Sequence, residues 1–484
     1  MSHILALDIG TSSVRAALYD DKGNVLPETI VKNSRTIEFT ADGGAEIDAE
    51  EAFQQVVEAI EDVLAKSSQT IDYVAASCFW HSLIGIDADG KATTPVYTWA
   101  ETRPAKYVQT LRTNFDENEV HNRTGARFHS SFWTAKLVWL KAEHIEVFEK
   151  TVKWLSFSDY LVFRLSNQTV TSISMASGTG VFNLRQNDWD EKLVSFLDIK
   201  REKLPQITDD NFTFQTNLWK NLENTKWFLA IGDGAANNIG AGCVEKNEAA
   251  LMIGTSGAMR VAFAGEIRSK IPTGLWCYRI DRTRVIVGGA LSDGGGLYRW
   301  LKDTLKIAEV DDVVEAEIAK RVPDSHGLTF LPFLAGERST GYHENAKGAV
   351  LGLTQYTSAV EITQAAMESV AYRFAEIYEQ LQQVVEITTI IASGGALRES
   401  PVWTQIIADV FGENLSLPDT REASSRGVVL LALENLGKIE DIAKLPTPEG
   451  NKFNFNQKRH EIYAEARKRH EYFYQKLITA ENTK

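Results

Sequence analysis

The chain has 484 residues, with 51 Lys plus Arg against 65 Asp plus Glu and a formal net charge of −14. That acidic balance excludes an extended nucleic-acid surface or a polybasic membrane anchor, and 44% hydrophobic with 24% charged residues excludes a disordered chain. The length exceeds what one core ordinarily supports, so two domains are expected. In chain order, "HILALD" is apolar on both faces and predicts a fully buried strand ending on a carboxylate, Asp8. Gly10 and the hydroxyls Thr11, Ser12 and Ser13 follow, then a strand "SVRAALYD", a turn "DKGN" and a strand "VLPETIVK". A chain that opens with hairpins differs from a Rossmann unit, whose first strand leads directly into a helix. A helix is predicted from Ala49 to Lys66 with Phe53, Val56, Val57, Ile60 and Leu64 on one face, then a strand in "DYVAASCFW".

The segment "FLAIGDGAANNIGAG" places Asp233 between an apolar strand and a helix-like run of small residues. Such an acid is either a helix N-cap or a carboxylate with room for a substrate hydroxyl, as general-base work requires. Around Asn247 the opening grammar restarts: "EAALMI" reads as strand, "GTSGA" as a turn holding Gly254, Thr255, Ser256 and Gly257, and "MRVAFAG" as strand. That turn is either an ordinary hairpin or an anion-binding nest of backbone amides. The echo suggests two domains on one plan, 1–246 and 247–455. A final helix within 456–484 would put Ile462, Ala466, Phe473 and Leu477 on one face. No long linker separates the halves, so they should touch and enclose a cleft. There is no GxxxxGK[ST] phosphate loop, no CxxC or HExxH metal spacing, and the glycines of "GDGAANNIG" are wrongly spaced for a dinucleotide fingerprint. Cys78, Cys243 and Cys277 lie far apart in apolar surroundings and suit buried thiols. With no signal-like leader and no apolar run of about 20 residues, the expected location is the cytoplasm and no membrane partner is expected.

An acid followed by Gly-Thr-Ser-Ser, an echo of that loop in the second half, and "GDG" between them resemble the FGGY carbohydrate kinases of the actin-like ATPase superfamily. Further segments follow in order: "HSLIGID" (81–87), "TWAETR" (98–103), "RTG" (123–125) with "AKLVWLK" (135–141), "SMASGTGVFNL" (174–184), "GGALSDGGGLYRW" (288–300), "LTFLPFLAGER" (328–338) with "GAVLGLT" (348–354), and "SGGALRESPVW" (393–403). The resemblance spans Leu5 to about Leu436 and implies an α/β fold of two actin-like, RNase H-like domains around a central cleft. Sugar would sit mainly on the first domain and ATP mainly on the second. It also implies that Asp8 and Asp233 help hold Mg²⁺, and that Asp233 takes the proton of the attacking sugar hydroxyl. Thr11, Ser12 and Ser13 would surround the polyphosphate together with Gly254, Thr255, Ser256 and Gly295, and Gly394, Gly395 and Ala396 would lie against adenine.

For the sugar, the resemblance points to Trp80, His81, Trp99, Arg103 and His129. His81 and Ser82 match the His-Ser of gluconate kinases, and His129 stands seven residues before Lys136, as theirs does. "GTSGAMR" and "CYRI" continue that likeness. Phe79 and Trp80 occupy positions that are Gln-Met in xylulose kinases, Glu101 stands where gluconate kinases have Asp, and Ser172 replaces a common Asp. Trp139, Trp300 and Trp403 are assigned to packing. The expected activity is ATP-dependent phosphorylation of gluconate, with xylulose or another ketose or polyol as the alternative. A catalytically silent sugar-binding relative is the competing class, and the expected assembly is a monomer or homodimer.

Overall fold

The buried first strand, His3–Ile9, owes its two apolar faces to neighbours on both sides: Ser13–Tyr19 pairs with it antiparallel and Ile71–Cys78 parallel. Between the first two strands the chain reverses at Gly10, whose amide donates to the Ser13 carbonyl at 2.9 Å. In the computed structural model, which describes residues 2–208, 211–266, 270–305, 311–420 and 422–479, these strands form the middle of a seven-stranded sheet. "VLPETIVK" is not one strand. Pro27 fixes a short 3₁₀ turn at Pro27–Thr29, and the sheet resumes only at Val31–Ser34. The Ala49–Lys66 helix starts where Asp48 accepts from the amides of Glu50 and Glu51, and it buries Phe53, Val56, Val57 and Ile60 with Val63, while Leu64 packs at the margin.

The plan recurs in the second half. Glu248–Ile253 pairs antiparallel with Gly257–Ala264 and parallel with Thr389–Ser393, inside another seven-stranded sheet. The repeated order of one antiparallel hairpin beside a parallel crossover is the actin-like α/β architecture. Cys78, Cys243 and Cys277 are buried free thiols. No helix among the described residues is long and apolar enough to cross a membrane.

The two halves do not keep separate cores. Val428, Val429, Leu430 and Leu431 of the Ala423–Asn435 helix belong to one cluster with Ile4, Leu5 and Leu7 of the first sheet. This helix also crosses Asp233–Gly240 at backbone contact. A Cβ on Gly427 would lie 1.9 Å from the Ala236 carbonyl oxygen, and one on Gly240 would lie 1.7 Å from that of Ala423. Arg426 Nη1 then reaches the Gly240 carbonyl at 2.7 Å.

Two expectations need correcting. The Gln457–Tyr474 helix buries Tyr463, Ala466, His470 and Tyr474, whereas Ile462 and Leu477 are more than a third exposed. The inward face is set by two tyrosines, which bury more area than isoleucine and carry hydroxyls that reach the buried carboxylates Glu368 and Glu337. Trp300 is 45% exposed on the outer side of the Gly295–Leu305 helix, whose inward residues are Leu297 and Leu301, while Trp139 and Trp403 are buried as expected.

The glycine crossing yields a test. Gly427→Ala forces two backbones apart, which should cost about 1–3 kcal/mol and displace the helix that begins at Asp233. A lowered unfolding midpoint together with reduced turnover is expected. A variant as stable and as active as the parent would refute the close approach.

Candidate active site

Sheet register brings the two predicted acids to one edge. Asp8 is aligned with Ser77, and so is Ile231 on the other side of the same strand, with Gly232 opposite Cys78. All three strands run parallel, so the carboxylates of Asp8 and Asp233 emerge at the same carboxyl end, two strand spacings apart. Asp8 Oδ1 accepts from Ser77 Oγ at 2.6 Å, and Arg15 Nη1 stands 3.6 Å from Oδ2 while also pairing with Glu422. Asp233 is not an N-cap. Gly232 holds that position, and Asp233 opens the helix with Oδ1 accepting from the Gly234 amide at 2.8 Å.

Burial pushes the Asp233 carboxyl up to about 6, and the negative charge of Asp8 adds to the push, against Arg260 and Arg338. Burial likewise raises Asp8, opposed by the Ser77 hydrogen bond and by Arg15. The two incompletely compensated carboxylates offer oxygen donors, the kind that suits a hard divalent cation such as Mg²⁺.

On the wall of the cleft contributed by the first half, His81 and His129 are both buried and both neutral. Burial, then the charge of Arg338, pushes His81 well below its ordinary range and His129 down to about 3. Their tautomers differ. His81 Nδ1 lies 2.5 Å from the Gly178 carbonyl, which can only accept, so the proton is on Nδ1 and Nε2 is an acceptor. His129 Nδ1 receives the Ser131 amide at 3.2 Å, so its proton sits on Nε2, a donor. One acceptor and one donor match the two hydrogen-bonding capacities of a sugar hydroxyl. Lys136 Nζ donates to the carbonyls of His81 and Thr98, each at 2.7 Å, and so ties together the segments that carry His81 and Trp99. Trp99 is half-buried with the Arg338 guanidinium 5.4 Å from its ring centre.

Two of the expected sugar contacts are otherwise engaged. Trp80 is 5% exposed and donates from Nε1 to the Ser174 carbonyl at 3.0 Å. Its indole is wedged against Gly178, Gly232 and Gly234, where added Cβ atoms would lie 1.8–2.7 Å away. It therefore shapes the turn into Asp233 by packing. Arg103 pairs with Glu101 and Glu46 and lies over the rings of Tyr97 and Trp139, so its charge is already neutralised. Glu101, fully buried, turns to Arg103 rather than to the cleft. Ser82 is likewise internal, accepting from the Phe157 amide, and Ser172 caps the Ile173–Ser177 helix.

The cations that sequence reasoning passed over are Arg260 and Arg338. Arg260 is 6% exposed, its Nε and Nη1 have no hydrogen-bond partner among the described residues, and its Nε would lie 3.0 Å from a Cβ on Gly234. An arginine inside the apolar strand "AMRVAFA" was the available signal, because an unpaired buried guanidinium is costly unless something anionic meets it.

Across the cleft, Gly254, Thr255, Gly295, Gly395 and Ala396 line one cavity of about 420 Å³ with Tyr298 and Trp403. Ser256 shares the Gly254 turn, its carbonyl accepting from the Gly254 amide at 2.9 Å. A Cβ on Gly395 would meet only Glu399 Oε1, at 3.9 Å, which leaves room for a flat ring system. Gly394 differs: its φ is +99° and a Cβ would strike the Ile253 carbonyl at 2.2 Å, so the chain itself, not a ligand, demands that glycine. Thr11, Ser12 and Ser13 lie on the first half's turn, outside the lining of this cavity, with Thr11 half-buried, Ser12 exposed and Ser13 buried.

Comparison with known proteins gives the same picture. The model of the FGGY family of carbohydrate kinases, N-terminal domain, matches residues 3–217, and that of the C-terminal domain matches residues 249–435. Gluconokinase of Bacillus subtilis (strain 168) is 30% identical over 459 residues, 91% of this chain and 88% of the relative. The solved structure of a ligand-bound xylulose kinase from Lactobacillus acidophilus superposes with a TM-score of 0.91 at 29% identity, covering 99% of this chain and 98% of that one. A gluconate kinase from the same organism gives 0.90 at 28%, with the same coverage. With both family domains matched in order along the chain, it belongs to the FGGY family of carbohydrate kinases.

Proposed function

We propose that this kinase phosphorylates an open-chain sugar acid, gluconate first, using ATP and Mg²⁺. The observation that carries the substrate class is the pairing of neutral His81 and His129 with two cations, Arg260 and Arg338, to which no carboxylate among the described residues is hydrogen-bonded. Neutral imidazoles orient hydroxyls, and a guanidinium meets the carboxylate end. In this reading sugar lies on residues 1–246 and nucleotide on 247–455. The Gly254–Ser256 and Gly395–Ala396 segments receive ATP, with Thr11, Ser12 and Ser13 closing on its phosphates. Bound MgATP supplies the transferable phosphoryl group and neutralises its charge. Asp8, at the strand end before the Thr11–Ser13 turn, would help hold the metal, and Asp233 accepts the hydroxyl proton.

 Its raised pKa brings it closer to the group it must deprotonate while leaving it ionised at neutral pH.

The same burial gives two linked expectations. A folded-state pKa near 6, above the ordinary 3.8, means that folding favours the protonated acid, so the charge costs stability increasingly as pH rises from about 4 to 6 and by a constant amount above that. At about 1.4 kcal/mol per pKa unit, the cost at neutral pH is at most about 3 kcal/mol. Asp233→Asn should therefore raise the unfolding midpoint by a few degrees while cutting kcat by roughly 10²-fold or more and leaving sugar affinity within a few-fold. In the parent, kcat/KM should fall as pH drops below about 6. Near-normal turnover of the Asn variant would remove Asp233 from the proton transfer.

The substrate reading is decided by comparing gluconate, xylulose and glycerol under the same ATP-coupled assay. Gluconate should lead in kcat/KM by about tenfold or more, since discrimination is a difference in transition-state binding. Xylulose in the lead would favour the second reading, which the likeness to the Lactobacillus acidophilus xylulose kinase supports. That outcome would leave the phosphotransfer chemistry standing.

A further inference from the structure

The segment "GERSTGYHE", residues 336–344, reaches from the second half of the chain to the sugar side of the first. It makes three contacts there. Arg338 lies over Trp99, the Tyr342 ring centre is 6.0 Å from that of His129, and Glu344 Oε1 accepts from the Ser130 amide at 2.9 Å.

Seen from behind, the segment is folded around one carboxylate. Glu337 is 2% exposed and gathers the amides of Gly341 at 3.2 Å and His343 at 3.4 Å. Arg373 Nη2 donates to its Oε1, and the Tyr474 hydroxyl lies 2.9 Å from both oxygens. The guanidinium of Arg373 sits 4.5 Å from the Tyr474 ring centre and 5.3 Å from that of Phe333, and it also reaches Thr340 Oγ1 at 3.2 Å. At Gly341 the approach is so close that a Cβ would lie 2.1 Å from the Tyr474 hydroxyl.

We infer that Tyr474, in the last turn of the C-terminal helix, is a positioning residue for the sugar site: through Glu337 its hydroxyl holds the segment that sets Arg338 and Tyr342 against Trp99 and His129. Tyr474 does not touch the sugar. The two loop amides make the longest bonds to Glu337, so they are the ones that yield when the carboxylate loses the phenol and turns toward Arg373. The loop then loosens where it faces the cleft, while the nucleotide cavity, lined by other segments, is unaffected. This inference requires only that the chain phosphorylates a sugar, whichever sugar leads in the comparison above.

Tyr474→Phe keeps the ring against Phe333 and Arg373 and removes only the hydroxyl. With the best substrate, the variant should raise the sugar KM about fivefold or more and leave the ATP KM within about twofold. A sugar KM within about twofold of the parent's overturns the inference. Ile478→Ala serves as the comparison, because Ile478 is buried in the same small cluster as Phe333 and Tyr474. It should lower the unfolding midpoint at least as much as Tyr474→Phe without moving the sugar KM. An equal rise in sugar KM for Ile478→Ala would show that general loosening of the helix end is enough, and that too overturns it. Glu337→Gln, which keeps the shape and removes the charge, should shift the sugar KM in the same direction and further. If it does not fold, the first two variants still decide.

Discussion

The strand Ile71–Cys78 is the element on which the site depends, because parallel partners on both of its sides end in carboxylates at the same edge. Hydrogen-bonding register, not side-chain choice, sets the separation of Asp8 and Asp233. Two like charges at one sheet edge are unfavourable, and burial raises both acids. The surrounding fold therefore has to hold them there. It does so with backbone contacts that have little freedom to relax: the glycine crossing behind the Asp233 helix and the indole of Trp80 against the turn before it.

Charge is distributed unevenly over the cleft. The wall contributed by the first half has its histidines neutral and its lysine turned inward onto two carbonyls, so its polar contacts are hydrogen bonds rather than ion pairs. Net positive charge enters mainly from the second half, through Arg260 and Arg338. The second half also sends the Ala423–Asn435 helix into the first half's core. Residues on opposite walls of the cleft are thus tied to shared packing.

Much of this was legible in the sequence where local patterns decide it. The first strand, the Ala49–Lys66 helix and the echoed hairpin follow from apolar periodicity and small-residue turns. Asp233 at a strand-to-helix junction also follows, although only the structure distinguishes a capping residue from a free carboxylate. What failed were judgements that depend on distant partners. Arg103 looks like a ligand-binding cation until Glu46, 57 positions away, is seen to share it. The inward face of the C-terminal helix looks like Ile462 and Leu477 until Glu368 and Glu337, 95 and 137 residues before the tyrosines they meet, are found waiting for their hydroxyls. Arg338 lay inside a quoted motif, but its approach to Trp99 depends on a loop whose shape is set by a buried acid.

Trp80 bears on how such a pocket can change over generations. Its indole fills the space left by three glycines that come from two separate stretches of the chain, Gly178 in one and Gly232 and Gly234 in the other. A side chain at any of the three collides with the ring, and a smaller residue at position 80 leaves a void beside Asp233 that all three glycines border. Neither kind of single replacement preserves the packing. Movement from this arrangement to one with a slimmer residue at position 80 has to pass through a less stable intermediate, and the loss falls on the packing beside Asp233.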